Sequence, residues 1–197
     1  MPRPPWTLTG RGVVAVYPLA PVGALMLLRY RASPVGPYDE LLWLAWGPSP
    51  AGWRPRVRSI VVSSAVSVAW GRRNWALPKH LARFDWAGDW GDGQVRVTGE
   101  DGREVALIAF RTGGPRLPVT AALMPTPLRT LAQPALGGGA GWSLTRVGGG
   151  GHVTPARLTM RHAGGLHPAL AQSHPHLSLA LPDFRLVFPR PRQLKQA

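Results

Sequence analysis

"GRRNWALPKHLA" (Gly71–Ala82) holds one of only two lysines in the chain; the other is Lys195, near the C-terminus. The other 21 of the 23 basic side chains are arginine. Lys79 follows a proline, whose ring restricts the local backbone. Its neighbours Trp75, Leu77, Leu81, Phe84 and Trp86 are apolar. The ordinary place for a lysine is a solvated surface, here in a short helical turn. Yet lysine can lose its proton and become a nucleophile, and arginine cannot. An arginine-biased chain would still need lysine for that one task. An unperturbed lysine is neutral in only about one molecule in 2,500 at pH 7. Nucleophilic work at neutral pH therefore calls for a pKa lowered to near 7, a differential of about 4–5 kcal/mol. Burial among apolar side chains, or a second cation nearby, produces such a shift.

Outward from that stretch the chain reads as strands. "RSIVVSSAVSVAW" (Arg58–Trp70) alternates strand formers, Ile60, Val62, Val66 and Val68, with small residues. "QVRVTG" and "DGREVALIAF" make a hairpin around the turn Gly99–Gly102. "HLSLALPDFRLVF" (His176–Phe188) gives one or two more strands, with Pro182 at an edge or bend. "GVVAVYPLAPVGALMLL" (Gly12–Leu28) has 17 residues and no charge. Pro18, Pro21 and Gly23 interrupt it, and a spanning helix needs about 20 mostly apolar residues. It reads as two buried strands around a turn, with no membrane segment and no signal peptide. Helices are few and short: Pro78–Phe84, with proline at a first helical position, and Thr126–Gln133. Residues 1–188 read as a single domain, followed by a loose basic tail over 189–197.

Composition agrees with a β-rich chain. Gly (24) and Pro (22) make up nearly a quarter of the 197 residues, which breaks long helices and favours strands joined by turns. There is no cysteine, so disulfides, thiolate metal sites and cysteine nucleophiles are excluded; a reducing cytoplasm fits. The net charge is +14, but the arginines are scattered. The richest patch, Arg54, Arg56 and Arg58, would form one stripe on a strand, and a solvated edge accounts for it. Nucleic acid is not expected as a partner.

Other chemistries find little support. Gly137–Gly141 and Gly148–Gly151 lack the Lys-Ser/Thr of a phosphate loop and the dinucleotide spacing, so they read as flexible loops. His152, His162, His167, His174 and His176 have no acid among them, and no metal site is expected. "VSSAVS" lacks the glycines of a nucleophile elbow. No carboxylate pair stands out among nine acids, which disfavours a glycosidase.

"GRRNWALPKHLA" resembles the Gly-Arg-x-x-Trp-Gly-x-Pro-Lys-x-x-Ala stretch of the acetoacetate decarboxylase family. In that family the lysine after the proline forms a Schiff base with the substrate ketone, and that lysine is itself the standard example of an amine activated by desolvation or a neighbouring cation. "SPVGPYDELLW" (Ser33–Trp43) resembles the family's Gly-x-Tyr-x-Glu segment, which implies an active-site role for Glu40, 39 residues before Lys79. "PPWTLTGRGVVAVY" (Pro4–Tyr17) resembles the N-terminal strand, where Arg11 takes the place of an active-site arginine. The similarity spans roughly residues 4–125. Three features depart from the decarboxylase proper. His80 stands where it has a second lysine, residues 25–38 contain no acid to match its second glutamate, and the chain is shorter.

The resemblance implies an α+β, β-rich fold: a curved sheet closing into a cone-like β-barrel with few short helices and the pocket inside. It implies a lysine-imine lyase acting on a small keto acid. Lys79 would form the imine, Glu40 would shuttle protons, Arg11 would hold the carboxylate, and His80 would tune Lys79 or pass a proton. No metal and no organic cofactor is called for, because the imine is the electron sink. Family members commonly assemble, so a homo-oligomer is compatible. The alternative is a non-catalytic protein of the same fold that holds a small apolar or keto ligand.

Overall fold

The uncharged run Gly12–Leu28 divides into β1 (Trp6–Tyr17) and β2 (Gly23–Ala32). Pro18 and Pro21, which cannot donate to a ladder, lie in the connection. The structure is a computed structural model and describes residues 2–194. β3 (Tyr38–Gly47) and β4 (Arg54–Val62) continue the meander. Helix α1 (Ala65–Trp75) then leads to β5 (Lys79–Gly88), which runs parallel to β4 with Lys79 opposite Ile60. Parallel neighbours need a crossover, and α1 provides it. β6 (Asp92–Gly99) and β7 (Glu104–Thr112) are the hairpin expected from the turn Gly99–Gly102. Six strands follow: β8 (Leu117–Thr120), β9 (Thr130–Pro134), β10 (Trp142–Arg146), β11 (Gly148–His162), β12 (Leu177–Phe188) and β13 (Arg192–Leu194).

β11 closes the sheet. Its first half, Gly148–Pro155, pairs with β12, and its second half, Ala156–His162, pairs with β7. Since β12 also pairs with β1, hydrogen bonding runs around a ring made of β1 to β7, β11 and β12. β8 adds to β11 across Gly150–Val153. β9, β10 and β13 form a separate three-stranded sheet. Gln133 of β9 ties it to the ring: its amide oxygen accepts from Val57 N (2.7 Å) and its amide nitrogen donates to Val57 O (3.2 Å).

Two apolar clusters follow from strand alternation. One, including Val13, Leu27, Leu41, Val95, Ile108 and Ala180, gathers side chains from around the ring and fills it. The other lies on the opposite face of β12, β1, β2, β3 and β4, where Trp75 of α1, Leu77 and Leu131 of β9 cover it.

The structure corrects several local expectations. Arg58–Trp70 is not one strand: β4 stops at Val62, and Ser64 caps α1 by accepting from Ser67 N (3.2 Å). The decisive spacing is Ser67, Gly71 and Trp75, one buried stripe with a helical repeat. Pro78–Phe84 is not a helix. Pro78 follows the C-cap of α1, a common place for proline, and β5 begins at the next residue. Ala82, Phe84 and Trp86 then repeat at two and pack into the ring. Thr126–Gln133 is a 3-10 turn over Thr126–Arg129 that passes into β9. Gly148–Gly151, read as a loop, belongs to β11, and Gly150 and Gly151 are paired on both sides. The tail is not loose through Leu194: β13 pairs with β10, and Pro189 O accepts from Trp75 Nε1 (2.8 Å). Residues 195–197 lie outside the described residues.

Ala76 caps α1 in the left-handed region (φ 54°), and its N–H donates to Arg72 O (3.0 Å). An alanine there costs about 1 kcal/mol or more relative to glycine. Ala76→Gly is therefore expected to raise stability by about 1 kcal/mol in urea denaturation. A loss instead would show that the Ala76 methyl contributes packing that outweighs its backbone strain.

Candidate active site

The site forms where α1 crosses the second apolar cluster. Tyr38 and Glu40 of β3 share a face because strand residues two apart do. Their cross-strand partners on β2 are Tyr30 and Leu28. Lys79 enters as the first residue of β5. α1 presses Ser67 and Gly71 against it from above. A Cβ at Gly71 would lie 2.7 Å from Lys79 Cδ and 2.9 Å from Cε, so only glycine lets the helix backbone lie along the lysine stem.

Lys79 is 3 % exposed and Glu40 5 %. Lys79 Nζ donates to Glu40 Oε2 (2.7 Å) and to Ser67 Oγ (3.0 Å), and it lies 5.2 Å from the centre of the Tyr38 ring. Tyr30 Oη donates to the other carboxylate oxygen, Glu40 Oε1 (2.9 Å). The buried charges are thus paired and hydrogen-bonded, the condition under which charge is tolerated away from water. Trp6, Leu8, Trp75, Leu77 and Phe188 complete an apolar wall around a cavity of about 20 Å³, room for about one water.

Burial pushes the Tyr30 and Tyr38 phenols well above their ordinary range, and the Glu40 charge adds to the effect. Burial alone pushes Tyr17, inside the ring, up to about 12. These are all three tyrosines of the chain. A raised folded pKa means stability is full below the unfolded value, about 10, and falls as pH climbs above it. Tyrosinate absorbance is therefore expected to stay low at pH 10 and to appear together with loss of near-UV circular dichroism. A tyrosine titrating near 10 in folded protein would contradict this burial.

Not every residue expected at the site is there. Lys79 and Glu40 come together. Arg11 does not join them. It pairs across β1–β2 with Arg29, which is itself opposite Asp39, so all three project from the face opposite Glu40. The Arg11 guanidinium lies 4.6 Å from the Trp90 ring centre, and Asp39 accepts from Trp86 Nε1 (2.9 Å). Burial raises the Asp39 carboxyl pKa, opposed by the Trp86 hydrogen bond and by Arg29 and Arg11. His80 is exposed and follows Lys79 on a strand, so its ring points to the other face and does not touch the lysine. The pocket is likewise not inside the ring but on the opposite face of the sheet, under α1. Among the described residues no three His, Asp or Glu side chains gather as a metal site.

Tyr30, Ser67 and Gly71 were not anticipated as site residues. Ser67 and Gly71 carried a signal, since with Trp75 they repeat every four residues. Tyr30 carried none, because its place depends on the β2–β3 register.

No protein-family model matches the chain. A rice (Oryza sativa subsp. japonica) protein, Protein NEOXANTHIN-DEFICIENT 1, is 39 % identical over 67 residues, covering 32 % of this chain and 21 % of the rice protein. The match thus spans about a fifth of that relative's length. Similarity of structure is broader. An acetoacetate decarboxylase structure aligns with a TM-score of 0.72 over 98 % of this chain and 91 % of its own, at 14 % identity. Acetoacetate decarboxylase from Legionella pneumophila aligns at 0.68 over 98 % and 88 %, also at 14 % identity. The enduracididine biosynthesis enzyme MppR, complexed with pyruvate, aligns at 0.66 over 98 % and 91 %, again at 14 % identity. Alignment of nearly the whole chain with these enzymes establishes that this chain has the acetoacetate decarboxylase-like fold.

Proposed function

We propose that the protein is a Schiff-base lyase acting on a keto acid, with Lys79 as the amine. The observation that carries this reading is the buried contact of Lys79 Nζ with Glu40 Oε2 at 2.7 Å. An ammonium cannot attack a carbonyl, and in this reading Glu40 takes its proton. The free amine then adds to the ketone carbon. With protons passed through Glu40, the carbonyl oxygen leaves as water and a protonated imine remains. In a β-keto acid the bond to the carboxylate breaks next. Its electron pair moves into the imine, carbon dioxide departs and an enamine forms. Protonation of the enamine carbon and addition of water return the ketone and the amine. Ser67 holds Nζ in place, and Tyr30 holds the carboxylate that moves the proton. Support also comes from the fold, shared with acetoacetate decarboxylases and with an enzyme complexed with a keto acid, pyruvate.

A second reading, binding without turnover, is favoured by one observation. The void beside Lys79 holds about one water, and no arginine lines it to take a carboxylate. Release of carbon dioxide from acetoacetate, with pyruvate in parallel, separates the two. The lyase reading expects release that is lost in Lys79→Met. Release no faster than without protein would leave binding as the function.

A further inference from the structure

A cavity of about 480 Å³ lies on the same face of the sheet as Lys79. Met26 and Leu28 of β2, Phe184 and Leu186 of β12, Val119 of β8 and Met124 at the end of the 3-10 turn that follows it line it. Among the described residues its one charged lining residue is Arg185. The size suits a small-molecule site, whereas the void at Lys79 does not.

Residues of the cleft wall neighbour residues of the lysine site directly. Leu28, which lines the cleft, is the direct cross-strand partner of Glu40. Phe184, also in the cleft wall, meets the Tyr30 ring edge-on at 5.7 Å, and the Tyr30 hydroxyl is the one bound to Glu40. The glycines Gly148–Gly151 have a purpose here that a loop reading does not give them. A Cβ at Gly149 or Gly151 would collide with the β12 backbone, and one at Gly150 would lie 2.7 Å from Val119 O. Gly148 faces open space. The run thus lets β8 and β12 close in on β11 and leaves the cleft floor without side chains. The rim is apolar too: Leu123 is 85 % exposed.

We propose that this cleft binds the hydrocarbon tail of an elongated keto compound whose carbonyl reaches Lys79 past Phe184 and Leu28. The proposal rests on the lysine-imine reading and names its substrate class: keto compounds with a linear apolar tail, rather than acetoacetate alone.

Two β-diketones test it, acetylacetone and an analogue with an octyl tail. Each condenses with a neutral lysine amine: the N–C bond forms, the carbonyl oxygen leaves as water, and a conjugated enaminone absorbs in the ultraviolet. The tailed probe is expected to label Lys79 at a concentration lower by a factor on the order of a hundred. Met26→Arg, or the rim variant Val119→Glu if the first does not fold, should abolish that advantage and leave acetylacetone labelling unchanged. Equal labelling by both probes, or an advantage that survives in the folded variants, overturns the cleft proposal. Binding of a fluorescent decanoate analogue to Lys79→Met separates the cleft from the chemistry. If neither diketone labels Lys79, the imine reading fails. Saturable binding lost in Met26→Arg or Val119→Glu then still supports a tail site, and no binding overturns it.

Discussion

Glu40→Ala is expected to destabilise the protein by about 3–5 kcal/mol, the usual penalty for stranding one partner of a buried ion pair. Both charges are almost completely out of water, and they meet at 2.7 Å. Removing the carboxylate leaves the Lys79 ammonium with Ser67 Oγ and the Tyr38 ring face, and it leaves the Tyr30 hydroxyl without its acceptor. Neither substitute carries a formal negative charge. The penalty belongs to the stranded charge and not to the pair. Replacing both partners by apolar residues of similar volume, Lys79→Met with Glu40→Leu, should therefore be near neutral or stabilising. Urea denaturation of the two single variants and the double variant checks this. A loss below about 1 kcal/mol for Glu40→Ala would mean that water reaches the pair.

Gly71→Ala is the second large effect, and its sign is the informative part. Helix propensity alone would make alanine better by about 1 kcal/mol. The new methyl, however, would sit 2.7 Å from Lys79 Cδ. A lysine free in solvent would simply move aside. This one is fixed by Glu40 and Ser67, so either α1 lifts from the sheet or Nζ leaves the carboxylate. Overpacking of this kind costs about 1–3 kcal/mol. The net expectation is a loss of about 1 kcal/mol with reactivity of Lys79 lowered at least about tenfold, since a small misplacement of a reacting group costs rate steeply. A stability gain with full reactivity would show that Gly71 is not the seat of the lysine.

Much of this was readable in the chain. The Gly12–Leu28 strands and the hairpin at Gly99–Gly102 followed from turn residues and alternation, which are local. Lys79 and Glu40 stood out because a lone lysine among arginines, and a Tyr-x-Glu segment, carry chemistry in a few residues. What failed had local and distant causes. Val66 and Val68 alternate as a strand does, yet Ser64 supplies a cap and Ser67, Gly71 and Trp75 bury a helical stripe. Gly148–Gly151 looks like a linker until β8 and β12 are brought alongside it. Arg11 matched a motif position and His80 stood at one in place of a lysine, but alternation turns both side chains to the face opposite Lys79.

The most direct test of the central claim is reductive trapping. The protein is incubated with acetoacetate or pyruvate, treated with borohydride, digested and mapped by peptide mass spectrometry. The chain supplies its own controls, since Lys195 and the terminal amine are the other primary amines. The expected result is one reduced adduct, on the peptide that carries Lys79, and none there in Lys79→Met. Folded protein that yields no adduct on Lys79, or only the slow, scattered labelling of Lys195 and the terminus, would contradict the account.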